Sequence, residues 1–553
     1  MNGYPEWIWG VLLMNTVQAV AKILQSEGVK WVSCFPSNPL IEEVAKEGIR
    51  PVMFRHERGA VMAADGFSRV NSRDKFGVVI TQSGPGAENS MGGIAQAFSD
   101  NVPVLYLPAG PQLNQYAIRP NFSAVRTFQT TSTYGEVITH PDQVSNVMRR
   151  AFHHLRNGQP GPVIVEIPAD VGNQELLEDT IDYRSPRRAR QVPDPDDINM
   201  AVELLLKAKK PVIWAGMGVL LSGASEVLQM LAELTGIPIF CTMPGKSAFD
   251  ERHSLSLGAG SGATTLPARK WIQESDVLFA VGSSLTRTPY GQPIPDGKII
   301  IHNTESREDI NKDYSVEIGL PGDAQLTLQS MIELVKSKDQ PPADVAQGIL
   351  DLKEEWMKDW MPLLNSDEIP LNIYRVIGDI IKTLDLENSI VTHDAGGPRD
   401  SILPFYPATV PNSYVGWGKT THLGFGIPLM IGAKLANPDK FCLNFMGDGA
   451  FGMSGLDIET AVREKAPITT IVLNNGGMAT YPGGMPTARE RYGTTEMTGD
   501  YAKIAEGMGA VGIVVIQPTE MVPALRRAQQ LNAEGQTVLI DVHSNMEARR
   551  SRP

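Results

Sequence analysis

Short runs of β-branched and aliphatic residues alternate with amphipathic stretches along the whole chain. "GVVIT" (77–81) leads through a glycine loop to a helix-like 87–99 and then to "VPVLYL" (102–107). "PVIWA" (211–215), "GMG", a helical stretch and "IPIFCT" (237–242) repeat that order, followed by "DVLFAVG" (276–282) and "KIIIHN" (298–303). "FCLNFM" (441–446), a helical stretch and "ITTIVL" (468–473) repeat it again. Strands that are apolar throughout and separated by helices predict parallel sheets covered on both faces.

Two stretches break the periodicity and carry charge, proline and turn residues: "YRSPRRARQVPDPDD" (183–197) and "VKSKDQPPADVAQ" (335–347). A chain of 553 residues exceeds what one core organises. The expected architecture is therefore α/β, with three doubly wound parallel-sheet domains: 1–185, 198–335 and 348–553.

Composition narrows the function. A net charge of -13 argues against broad nucleic-acid binding. Cys34, Cys241 and Cys442 are far apart and form no CxxC, so neither a disulfide framework nor a zinc site is expected. The start of the chain has a short apolar run without a basic flank, and reads as a leader into the first helix. With no membrane-spanning run elsewhere, a cytoplasmic protein is expected.

The candidate chemistry lies in "GDGAFGMSGLDIETAVREKAPITTIVLNN" (447–475). One helix, expected to start near Gly452, and one strand separate Asp448 from Asn475. In such a βαβ unit both loops open at the carboxyl end of the sheet, where α/β proteins bind ligands. One carboxylate and one carboxamide suit Mg²⁺, which completes its octahedron with phosphate oxygens and water. Gly447 and Gly449 let the backbone approach a diphosphate. Either "GDG" or "NN" alone is a common turn; together, at the two ends of one unit, they form a specific pair.

This order and spacing resemble the fingerprint of thiamine diphosphate (ThDP) enzymes, and residues 14–545 resemble their acetolactate synthase-like branch. The resemblance implies a pyrimidine-binding domain (1–185), a central domain (198–335) and a diphosphate-binding domain (348–553), with ThDP and Mg²⁺ as cofactors. Asp448, Asn475 and the carbonyl of Gly477 would hold the metal, with Gly449, Ala450 and Met478 against the cofactor. Glu57, in "FRHERGAVMAADGFSR" (54–69), falls on the acid that activates the pyrimidine. Read alone, it is a solvated surface charge. "SGPG" (83–86) is a matching segment in which Asn89 would hold the loop. Leu423 falls on the wedge that bends the cofactor, although read alone it is a core leucine. The Thr421 carbonyl would accept from the pyrimidine amine, and Ala395, Gly396 and Gly397 would contribute backbone. The substrate pocket would include Asn38, Gln82, Ser123 and Tyr481, beside Pro36 and Phe122. No second acid–base residue is identified. The resemblance also implies a small-molecule substrate and a homodimer or homotetramer with sites at the subunit interface.

The implied reaction is carbon–carbon cleavage or formation on a 2-oxo acid or 2-hydroxy carbonyl substrate, by an acetolactate synthase-like carboligase or decarboxylase. No Trp follows Trp417, whereas acetohydroxyacid synthases carry one after the "NN" segment. "GAGSGATTLPARK" (258–270) and "SSLTRTPYG" (283–291) match flavin-binding members poorly, so FAD is not carried over. Asn303 and Thr304 stand where an acidic nucleotide contact is often found. "FGMSGLDIET" with "NNGGM" also resembles the oxalyl-CoA decarboxylase and 2-hydroxyacyl-CoA lyase group, which is one alternative. A catalytically silent ThDP-fold binding protein is another. The tail "SNMEARRSRP" (544–553) reads as a frayed polar terminus. "SYVGWGKT" (413–420) nearly spells a phosphate-binding loop, but its preceding strand is proline-broken.

Overall fold

The computed structural model describes residues 13–71, 73, 75–116, 118–478 and 484–553. The leader (1–12) and Tyr481 lie outside the described residues. The chain divides into two compact units, one of residues up to 68 with 73–189, the other of 69–72 with 190–553.

The first unit holds a six-stranded sheet, in the order Arg50–Met53, Trp31–Cys34, Gly77–Thr81, Val104–Gly110, Pro162–Pro168 and Tyr134–Val137. Every neighbouring pair is parallel. Helices Thr16–Ser26 and Val144–Arg156 supply apolar faces to its core, which includes Val20, Leu24, Val147 and Phe152. Gly77 is required by close approach: a Cβ there would lie 2.3 Å from the Ala64 carbonyl oxygen.

The second unit holds two further six-stranded parallel sheets. One runs Ser256–Gly260, Ile239–Thr242, Val212–Ala215, Val277–Val281, Ile299–Thr304, Ile318–Pro321. The other runs Tyr414–Val415, Ser389–His393, Phe441–Gly447, Thr469–Asn474, Val538–His543, Val511–Val515. Buried aliphatic residues fill both faces, each stabilising by roughly 1.5–3 kcal/mol. The two sheets meet around Gly416, where a Cβ would stand 1.9 Å from the Met243 carbonyl oxygen. Among the described residues no helix is long and apolar enough to cross a membrane.

Two expectations are corrected, on the chain between Asp448 and Asn475 and on the tail. The chain between Asp448 and Asn475 forms two helices, Asp448–Ser454 and Asp457–Arg463, and the first starts at Asp448 rather than near Gly452. The polar tail is docked, not frayed. Ser551 is 1% exposed, donates to the Thr264 carbonyl at 2.6 Å and accepts from Trp356 Nε1 at 3.0 Å. A sequence of charged residues cannot reveal that this serine meets two buried partners. The P-loop look-alike is a two-residue strand followed by irregular chain until helix Gly426–Ala436.

Candidate functional site

Strands Phe441–Gly447 and Thr469–Asn474 are parallel neighbours, with Gly447 opposite Leu473. Asp448 and Asn475 therefore emerge side by side at the carboxyl end of the sheet. Asp448 is 2% exposed. Its Oδ1 accepts from the Gly449 N–H at 2.7 Å, and its Oδ2 from the Gly476 N–H at 3.0 Å. Asn475 Oδ1 accepts from the Gly477 N–H at 3.0 Å. The first asparagine of the pair faces the scaffold instead. Asn474 Nδ2 donates to Asp541 Oδ1 at 3.0 Å and to the Gly499 carbonyl at 3.2 Å.

Burial pushes the Asp448 carboxyl above its usual range, and the N–H donors only partly offset this. A divalent cation would restore the ionised form. Among the described residues no group of three His, Cys, Asp or Glu side chains gathers. One carboxylate, one carboxamide and a carbonyl fit Mg²⁺ sharing its shell with a ligand's phosphate oxygens, and do not fit an all-protein cage.

The other expected cofactor residues of this unit converge here. Pro398 packs against Gly447, its Cγ 3.8 Å from where a Cβ would sit, which brings Ala395, Gly396 and Gly397 beside the clamp. A Cβ on Gly424 would stand 2.7 Å from the Met453 Cβ, so the segment bearing Thr421 and Leu423 lies against helix Asp448–Ser454. Leu423 is half-buried, where its core reading had it enclosed. Thr421 has φ 51°, a left-handed conformation that costs a β-branched residue energy and is held by its surroundings. A Cβ on Gly449 would sit 3.0 Å from Met478 Sδ, so glycine leaves a narrow cradle between Ala450 and Met478.

Asp394, which the sequence did not single out, ties these loops together. It is fully buried and accepts from the N–H groups of Ala395 (2.8 Å), Gly424 (3.0 Å) and Gly426 (2.9 Å). An acid closing the apolar run "SIVTHD" was the available signal.

In the first unit, Glu57 opens helix Glu57–Arg69 and is 2% exposed, so its surface reading is overturned. Its Oε2 accepts from Asn89 Nδ2 at 3.1 Å and lies 3.9 Å from His56 Nδ1. Asn89 thus holds the acid itself. The pocket residues have differing duties. Asn38 Nδ2 donates to the Thr81 (2.9 Å) and Leu107 (3.3 Å) carbonyls, and its Oδ1 accepts from the Leu40 N–H. That carboxamide ties strand ends together. Gln82 is half-buried at the carboxyl end of strand Gly77–Thr81. Ser123 Oγ lies 2.5 Å from the Tyr116 hydroxyl and 3.2 Å from Glu166 Oε2. Glu166 was also missed, although a carboxylate inside "PVIVEIP" is conspicuous.

In the central sheet, Asn303 Nδ2 donates to the Leu320 and Gly322 carbonyls and to Thr327 Oγ1. Its NH2 group is occupied within the protein, while its Oδ1 is buried without a hydrogen-bond partner.

Three family models match the chain. They are "Thiamine pyrophosphate enzyme, N-terminal TPP binding domain" over 14–133, the central domain over 198–331, and the "C-terminal TPP binding domain" over 394–542. The chain is similar to a probable acetolactate synthase large subunit of Methanocaldococcus jannaschii, 30% identical over 93% of this chain and 90% of the relative. It is similar to the acetolactate synthase large subunit of Corynebacterium glutamicum, 32% identical over 88% of this chain and 79% of the relative. The acetolactate synthase isozyme 3 large subunit of Escherichia coli is 26% identical over 96% and 95%.

Proposed function

Given that the chain belongs to the thiamine diphosphate-dependent enzymes, in their acetolactate synthase-like branch, we propose that it decarboxylates a 2-oxo acid such as pyruvate and joins the acyl carbon to a second carbonyl compound. It is a ThDP-dependent carboligase/decarboxylase, and the proposal concerns its substrates, metal and residues. ThDP supplies the electron sink that lets a bond beside a carbonyl break or form.

Asp448, Asn475 and the Gly477 carbonyl hold Mg²⁺ in this reading, and Ala395, Gly396, Gly397, Gly449, Ala450 and Met478 line the cofactor. Leu423 would support the cofactor's rings, and the Thr421 carbonyl would accept from its amine. Glu57 would hold the proton at the pyrimidine nitrogen, with Asn89 orienting its carboxylate through the bond at 3.1 Å. Residues 1–185, 198–335 and 348–553 act as pyrimidine-binding, central and diphosphate-binding domains of a cytoplasmic homodimer or homotetramer. FAD is not part of the reading, and a flavin absorbance band in the purified protein would overturn that.

The observation that carries the reading is the hydrogen bond joining Asp448 to the loop after Asn475. The test is a substrate panel of pyruvate, other 2-oxo acids, oxalyl-CoA and 2-hydroxyacyl-CoA, each with aldehyde or 2-oxo acid acceptors, followed by mass spectrometry. Acetolactate or a related 2-hydroxy-3-oxo product from pyruvate supports it. Turnover of CoA thioesters alone would replace it with the acyl-CoA alternative.

A further inference from the structure

In the first unit, the strands ending at Thr81 and Gly110 present their carboxyl ends on the side where α/β sheets take ligands. Glu166 reaches this edge from strand Pro162–Pro168, the neighbour of Val104–Gly110. It is 1% exposed. Its Oε2 is crowded with donors: the Tyr116 hydroxyl at 3.0 Å, Ser123 Oγ at 3.2 Å and the Val125 N–H at 3.1 Å. Its Oε1 is buried without a hydrogen-bond partner. It faces Gly110, where a Cβ would stand 3.0 Å from it. Ser123 and Tyr116 are themselves linked at 2.5 Å, and the Arg126 guanidinium lies 5.0 Å from the Tyr116 ring.

A buried acid is costly, and one placed in an apolar strand is retained when its surroundings answer it. Here the groups that answer all belong to one connection, the segment after Gly110 that carries Tyr116, Phe122, Ser123 and Val125. Glu166 belongs to the sheet, whereas the connection carries only short helical turns at Leu113–Gln115, Ala124–Thr127 and Phe128–Thr130, so the carboxylate acts as the anchor and the loop as the part held. We propose that Glu166 is a positioning residue, which through Tyr116 and Ser123 fixes this loop as a wall of the substrate pocket. This rests on the substrate reading above. In that arrangement Glu166 governs how tightly the 2-oxo acid is held, and leaves cofactor binding untouched.

The test uses Glu166→Gln and Tyr116→Phe in the full-length ThDP-loaded enzyme. Three quantities are measured: steady-state kinetics on pyruvate, ThDP affinity by calorimetry, and amide hydrogen exchange at 113–116 and 122–125. Glu166→Gln is expected to raise KM for pyruvate about ten-fold and speed exchange in those segments by a similar factor, with kcat and the ThDP Kd within about two-fold. Tyr116→Phe, which removes one donor and leaves the acid in place, should shift KM and exchange in the same direction by less. It carries the test if Glu166→Gln does not fold. Unchanged KM and exchange, or a fall in kcat with KM unchanged, would overturn the proposal. If the wild-type enzyme does not turn over pyruvate, the substrate reading fails. The exchange arm then decides alone: loosening confined to these segments with ThDP affinity retained supports the anchor, and unaltered exchange refutes it.

Discussion

Asp448 Oδ2 accepts a hydrogen bond from the Gly476 N–H at 3.0 Å, joining the first residue of one helix to the loop that follows the next helix and strand. That bond brings the carboxylate and Asn475 to the same edge of the sheet.

Asp448→Ala removes the one charged ligand of the proposed metal site. Mg²⁺-dependent ThDP binding should weaken roughly 100-fold or more, since even groups that merely support ligands are worth 10–100-fold. Titration calorimetry with and without Mg²⁺ checks this, and retained Mg²⁺-dependent affinity would remove Asp448 from the site.

Glu57→Gln should leave ThDP bound and suppress exchange of the cofactor C2 proton. Asn89→Ala should slow the same exchange by about ten-fold, in line with a charge-assisted hydrogen bond of roughly 1.5 kcal/mol. Proton NMR of the bound cofactor reads both. Wild-type exchange in Glu57→Gln would end its assigned role, and wild-type exchange in Asn89→Ala would show that the bond at 3.1 Å does not orient the acid.

Stability should fall in mild acid. Burial holds the imidazoles of His393 and His302 below their usual 6.5, with the nearby Arg399 charge adding to the effect at His393. Both resist protonation in the folded protein more than in the unfolded chain, which takes up protons as pH drops through 6.5. Their stabilisation is therefore present above 6.5 and lost below it, at up to about 1.4 kcal/mol per pH unit for each. Denaturant midpoints at pH 8, 6.5 and 5.5 measure the slope. His393→Phe, which keeps a ring stacked on Trp417, should flatten it.

Ser551→Ala leaves the Trp356 N–H and the Thr264 carbonyl without their partner. The second unit should lose about 1–3 kcal/mol, read as a lowered unfolding midpoint with unchanged denaturant slope. No loss would mean that water replaces the hydroxyl.

Much of the fold was legible because buried parallel strands write themselves as unbroken apolar runs. "GVVIT" matches the strand Gly77–Thr81, and "FCLNFM" extends by one residue to Gly447. The juxtaposition of Asp448 and Asn475 was legible because two signals, each common alone, stand at the two ends of one βαβ unit. The remainder depended on distances that no spacing encodes. Asp394 earns its place by accepting from three loop N–H groups, Ser551 by reaching Thr264 across 287 residues, and Glu166 by facing a loop 41 to 50 residues earlier. The helix start was misplaced because Gly452, with open space around it, looks like a break, whereas the chain turns helical directly from the strand end.

Met478 carries one more consequence. Its thioether lies 3.0 Å from the Cβ position of Gly449 while the residue is 39% exposed. Oxidation of that sulfur would put a polar, chiral oxygen beside the proposed clamp. The same narrowness that shapes the cradle sets an oxidisable sulfur against the proposed clamp.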